Sequence, residues 1–289
     1  MKAEYLTTLL FSRIVSPLSI SHPFILFPLS DHSEGRMGRL RKYYMQIPSL
    51  ADLLQAGVHF GHKTSRWHPK MKEFIYTGRS GVHVLDLQKT QERLSVALET
   101  VQSMAAQGKK ILFITTKPQA REIVKAAALA AGMPYLVDRW IGGLLTNFPE
   151  FRRLIKKYLS LKEQKESGEL ERYTKKEQLR IAKEMEKMER TLIGLTALDA
   201  MPDALFIPSV QKEKTAVTEA GKMHIPIFGI CDSNANPSKA AYPIPANDDA
   251  VRAITLLVDL VGQAARAGHE EFEKNQAAAK VQKETMVVK

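Results

Sequence analysis

The sequence predicts an α/β protein built on a parallel sheet, and three observations lead there. Apolar runs of four to eight residues recur between 82 and 245, too continuous to have one wet face. Amphipathic stretches of helical length separate them. One segment, between Phe148 and Leu198, breaks this rhythm with charge. Together these give a doubly wound (flavodoxin/Rossmann-like) parallel sheet with a protruding antiparallel helical hairpin, a coiled coil set into the body.

The elements follow in order. VHVLDL at 82–87 reads as a strand, and the stretch after it as a helix ending at Gly108. KILFITT at 110–116 is the second strand, and the helix over 118–131 has Pro118 suited to its first turn. PYLVD at 134–138 is the third. DALFIP at 203–208 leads into a helix over 211–222, IPIFGICD at 225–232 is the next strand, and YPIP at 242–245 a short last one. Asn247 is placed to cap a helix over 248–266.

Residues 150–193 hold thirteen Lys and Arg and nine Asp and Glu, half of the segment. Phe151, Leu154, Tyr158 and Leu161 are spaced 3-4-3, and Ile181, Met185, Met188, Leu192 and Leu195 are spaced 4-3-4-3. Those are two heptad-like seams around a turn near Gly168. TKKE, from Thr174 to Glu177, has the form of a capping box and marks the second helix start. A solvated helix face explains most of the charge, while the surplus of positives suits a phosphate backbone. The organisation is then an α/β body over 45–147 and 199–266, a hairpin insertion over 148–198, and a disordered tail over 267–289 that lacks an apolar face. Residues 1–44 read as an extension, disordered or preceding a true start at Met45. Their serines and scattered arginines weakly resemble an organellar transit peptide.

The 289 residues include 42 Lys and Arg against 31 Asp and Glu, a net charge of +11. Such an excess favours anionic partners. One cysteine, Cys231, excludes an intramolecular disulfide framework, and its apolar run makes it a buried, inert thiol. No apolar run reaches membrane-spanning length. The phosphate loops of nucleotide enzymes are missing, as is the nucleophile elbow. Gly142 and Gly143 in WIGGLLTN allow close approach of a phosphate, but a permissive loop explains them better. Asp232 and Asn234 in CDSNANP follow a strand, where catalytic groups often sit, yet the composition is that of a turn.

The most concentrated chemistry is QAGVHFGHKTSRWHPKMKEF, residues 55–74. A zinc site would draw on His59, His62 and His68, but no cysteine is near and no metalloprotease motif appears. Acid–base catalysis would need a partner such as Asp52 or Glu73, neither specially placed. A nucleic-acid surface uses every residue: Lys63, Arg66, Lys70 and Lys72 reach phosphates, while His62, Trp67 and His68 offer flat rings. Trp67 serves equally as a core anchor.

This stretch, continued through TGRSGVHVLDLQKT, resembles the amino-terminal signature of the bacterial-type small-subunit ribosomal protein S-two family. The likeness extends through ILFITTKPQAREIV, YLVDRWIGGLLTNF, MPDALFIPSVQKEKTAVTEAGKMHIPIFGICDSNANP and YPIPANDDAVRAI, covering Gln46 to Arg266. The resemblance implies a non-enzymatic structural role without cofactor or metal. Its implied partners are small-subunit ribosomal RNA, near the head–body junction, and neighbouring small-subunit proteins, including the mRNA-binding protein S-one, whose docking it supports. It implies no membrane, no independent homo-oligomer and a cytoplasmic, ribosome-bound location, or an organellar ribosome if 1–44 is a transit peptide. Carried onto this chain, the implied RNA surface comprises His62, Lys63, Arg66, Trp67, His68, Lys70 and Lys72, then Arg79, Arg139 and Asn147. The hairpin adds Arg152, Arg153, Lys156, Lys157, Lys175, Lys176 and Arg180. Arg139 and Trp140 have a second reading, as an ion pair and core packing.

Overall fold

The computed structural model describes residues 47–287, with side chains to 278. Expectations about the first 44 residues lie outside the described residues. Five parallel strands form the main sheet: β4 (Ile111–Ile114), β5 (Tyr135–Leu136), β6 (Ala204–Ile207), β7 (Ile227–Cys231) and β8 (Tyr242–Pro245). Their order is β5-β4-β6-β7-β8, all pairs parallel. Counted by first appearance that is 2-1-3-4-5, the flavodoxin-like winding, with its reversal between β4 and β6. Every residue of β4, β6 and β7 is buried, which is why these strands read as unbroken apolar runs.

Alternation within each strand feeds two cores. Ile111, Phe113 and Phe206 meet Leu94, Val101, Leu257 and Val261 on one face. Those partners come from α2 (Leu87–Ala106) and α7 (Val251–Val287), with α3 (Arg121–Ala130) alongside. Leu112, Ile114, Leu205 and Ile207 point the other way, towards Leu195 and towards Val217 of α6 (Lys214–Lys222). Asn247 accepts the N–H groups of Asp249 and Ala250 and closes the turn ahead of α7. The helix starts later than expected, at Val251, and its first bond is accepted by the Ala250 carbonyl, so Asn247 is not its cap.

Two further expectations are corrected. The run at 82–87 does form a strand, β3 (Val82–Leu85), but it does not join the parallel sheet. It is the middle of a separate antiparallel sheet, between β1 (Phe60–Lys63) and β2 (Ile75–Arg79). The cause is the β2–β3 turn, where Ser80 and Gly81 both take positive φ, 52° and 76°. That turn matches the twist of a tight hairpin and forces antiparallel pairing. The second correction concerns 267–289, expected to be disordered: among the described residues α7 continues to Val287. Around Gly268 and Phe272 this extension is packed against the body. A Cβ on Gly268 would lie 2.3 Å from the Gln102 carbonyl oxygen, so the helix rests on the backbone of α2 there. The Phe272 ring then covers Gly108. The lack of a long apolar stripe concealed a contact made by small residues.

The charged segment forms two helices, α4 (Phe148–Glu166) and α5 (Lys175–Leu192), with Gly168 at the turn. Thr174 and Glu177 make the reciprocal hydrogen bonds of a capping box. Lys157 Nζ lies 2.7 Å from Glu184 Oε1, across the two helices. Phe151, Ile155, Tyr158 and Leu192 are buried and join the second core, whereas Leu161 and Ile181 are only half-buried. The seam is therefore dry where α4 begins and α5 ends, and wetter towards Gly168. A short α1 (Leu50–Gln55) opens the described chain, capped by Ser49.

Candidate nucleic-acid interface

The His62–Lys72 segment is β1 followed by two 3-10 turns, Thr64–Arg66 and Pro69–Phe74. Ser233, in the loop after β7, holds it. Ser233 Oγ accepts the His62 N–H at 2.8 Å, and the Ser233 carbonyl accepts the His68 N–H at 2.8 Å. Met71 and Phe74 are buried in the second core and pin the far end. With the backbone anchored this way, Lys63, Arg66, Lys70 and Lys72 all face outward. Trp67 is 39% exposed and 5.6 Å from the His83 ring, so it is a surface ring with one covered side, not a core anchor. His68 Nδ1 accepts the Lys70 N–H and caps the second turn. His59 packs on Phe60, and burial lowers its pKa.

His62 points inward, unlike the cations beside it. Its Nδ1 lies 2.9 Å from Asp232 Oδ2, and its Nε2 lies 3.3 Å from Asp249 Oδ2. The hydrogen bond with Asp232 raises the His62 pKa, against the effect of burial, and the charges of Asp232, Asp248 and Asp249 add to the rise. Lys117 completes the cluster, 3.0 Å from Asp248 Oδ1 and 2.7 Å from Asp249 Oδ1. His62, Asp232 and Asp248 each offer a donor atom within 4.8 Å of the others, a set suited in chemistry to a divalent cation. Asp232 is thus more than the turn residue its neighbours suggested. It is fully buried at the carboxyl end of β7 and ties the small sheet to the large one. His68 has no place in this donor set, and the other two expected ligands reduce to His62.

The same cluster occupies the carboxyl ends of the parallel strands. Beyond β4, the Thr116 N–H and hydroxyl both donate to Glu213 Oε1 at 2.6 Å. Beyond β6, Ser209 donates to Asp248. Doubly wound sheets hold phosphates at this reversal of strand order. Here the chain's own carboxylates, paired with His62 and Lys117, occupy that place.

The Arg139–Asn147 loop is organised by a residue the sequence reading passed over. Glu219, 8% exposed on α6, accepts Trp140 Nε1–H at 3.0 Å, the Gly143 N–H at 2.9 Å and the Leu145 N–H at 3.2 Å. Burial works to raise its pKa, but these hydrogen bonds outweigh it and hold the carboxyl below the ordinary range. The Gly143 and Leu145 N–H groups are therefore already used and are not open to a phosphate. Trp140 is core, as its second reading had it, while Arg139 is exposed and makes no ion pair among the described residues. One signal pointed to Glu219: an acid beside Ala216, Val217 and Ala220 on the apolar face of its helix.

The hairpin's Arg152, Arg153, Lys156, Lys157, Lys175, Lys176 and Arg180 are all exposed, as is Arg79 at the end of β2. Arg153 is paired with Glu150 and Lys157 with Glu184. Arg152, Arg153 and Lys156 come together over a cleft of about 410 Å³ at the hairpin's root, beside Phe148 and Met201. Asn147 ends the loop and precedes α4, its N–H donated to the Gly143 carbonyl at 2.7 Å. Cys231 is buried, with its pKa pushed up by desolvation, an inert thiol as expected. No helix among the described residues is long and apolar enough to cross a membrane.

Comparison with known proteins bears on this surface. The family model described as ribosomal protein S2 matches residues 53–268. The small ribosomal subunit protein uS2 of Coprothermobacter proteolyticus is 47% identical over 226 residues, which cover 78% of this chain and 84% of that protein.

Proposed function

The chain belongs to the ribosomal protein S2 family, and on that premise we propose that it is a structural constituent of the small ribosomal subunit that binds ribosomal RNA. The observation that carries the reading is the distribution of charge. Lys63, Arg66, Lys70 and Lys72 line the anchored segment as exposed cations. The hairpin helices carry thirteen Lys and Arg against nine acids over 150–193, while His62 turns inward to the carboxylates at the sheet's carboxyl ends. A surface of this kind binds through phosphates, so affinity falls steeply with salt, and specificity comes from the shape of folded RNA. The RNA surface takes in Lys63, Arg66, Trp67, Lys70, Lys72, Arg79, Arg139 and the hairpin cations. His62 and His68 support it from beneath. Contact near the head–body junction and support for docking of S-one belong to the same reading, as does a ribosome-bound, cytoplasmic location. The hairpin serves as the arm, reaching beyond the body on a root fixed by Phe151, Ile155 and Leu192.

The test is sedimentation of cell lysate through a sucrose gradient, with the chain followed by mass spectrometry. It is expected to travel with the small subunit at low salt and to be released as salt rises. A chain that stays at the top under all conditions would sink the reading.

A further inference from the structure

A basic cleft joins the far end of the His62–Lys72 segment to cations that are distant from it in sequence. A cleft of about 850 Å³ opens between the Pro69–Phe74 turn, the first turns of α2 and the Pro237–Lys239 turn between β7 and β8. Its rim carries four cations from two elements. Lys70 and Lys72 come from the first turn, and Lys89 and Arg93, four residues apart on one helix face, from α2. Glu73 is the one carboxylate in the lining. Among the described residues no acid pairs with Lys70, Lys72 or Arg93, and Lys89 reaches Asp86 only at 4.0 Å. Two of the four are held in place by groups that leave their charge uncompensated. The Lys89 ammonium donates to the Glu73 carbonyl, and the Arg93 guanidinium lies 5.7 Å from the centre of the Phe74 ring.

The floor has a different character. Half-buried Ile75 and Pro243, over the buried Phe74 and Ala240, make it apolar, beneath a rim that is net positive. Four converging cations repel one another, so the arrangement stabilises a polyanion, and holding two of them in advance lowers the ordering cost of binding. An apolar floor adds nothing for a bare phosphate, but it suits the flat face of a base or ribose. A duplex hides those faces, whereas a single strand presents them. We propose that this cleft seats a single-stranded stretch of RNA, with its phosphates on Lys70, Lys72, Lys89 and Arg93 and a base or ribose on the floor. The proposal rests on the RNA-binding reading above and adds a site to it.

The experiment uses the full chain and a short fluorescein-labelled oligouridylate, with anisotropy followed over a range of salt. Replacing all four residues with Gln (Lys70→Gln, Lys72→Gln, Lys89→Gln, Arg93→Gln) is expected to reduce the slope of log K against log salt by about 3, at roughly 0.7 per phosphate contact. The double variant Lys70→Gln with Lys72→Gln touches only exposed side chains and is expected to lose about half of that. It keeps the test decisive if the fourfold variant loses its fold by circular dichroism. A wild-type slope in the cleft variants would overturn the proposal. So would tighter binding of an oligoglutamate of matched charge, which would make the occupant an acidic protein segment. If wild-type chain co-sediments with the subunit while the cleft variants keep their slope, the cleft alone is removed. If wild-type chain stays at the top of the gradient, the parent reading falls with it.

Discussion

Glu219 shows how one buried charge can shape a loop. A carboxylate on the apolar face of a helix is costly unless hydrogen bonds satisfy it, and here Trp140, Gly143 and Leu145 do so. Removing it leaves those donors buried without a partner. Glu219→Ala is therefore predicted to cost about 3 kcal/mol in urea unfolding, and Glu219→Gln somewhat less. The linkage to pH has a fixed sign. Because the folded carboxyl sits below its ordinary pKa, its contribution is present above about 4.3 and is lost as pH falls further, through the folded value. Wild type should thus lose more stability than Glu219→Gln as pH is lowered through that window. Equal acid sensitivity in the two proteins would rule out the clasp.

At the scale of elements, the long last helix depends on how closely α7 approaches α2. Gly268 permits that approach, since any side chain there meets the Gln102 carbonyl. Gly268→Val is predicted to lift the helix from that point onward and to cost about 2 kcal/mol. Amide hydrogen exchange should quicken over 268–278 and stay slow over 251–261. Unchanged exchange would mean that the extension is held by something other than this contact. The hairpin is built on a different plan. Large apolar residues tie the start of α4 to the end of α5, and a capping box at Thr174 fixes the start of α5. Among the described residues one charge pair, Lys157 with Glu184, crosses between the helices. An exposed pair of that kind contributes little to stability, so the charges on these two helices are not needed to hold them together.

For the whole molecule, the sheet's winding and its charge work in opposite directions. The flavodoxin-like order creates a crevice at the carboxyl ends of β4 and β6, the usual seat of a nucleotide. Glu213, Asp232 and Asp248 occupy that end, already engaged by Thr116, His62, Ser209 and Lys117. Calorimetric titration with ATP is accordingly predicted to show no saturable single-site heat. A one-site isotherm would restore the nucleotide-enzyme reading of this fold.

The sequence by itself determined the parallel sheet, the two charged helices and their turn, and the concentration of positive charge. Each of these is encoded locally: continuous apolar runs in β4, β6 and β7, the spacing from Phe151 to Leu195, and a capping box at Thr174. The tertiary structure decided which residues meet across long stretches of chain. It paired His62 with Asp232, folded the Arg139–Asn147 loop around Glu219, and set Lys89 and Arg93 opposite Lys70 and Lys72. It also placed β3 in its own sheet and kept α7 helical past 266. Local periodicity is blind to such pairings, because a charged side chain on a helix reads the same whether it faces water or a distant partner, and only the packed backbone settles which.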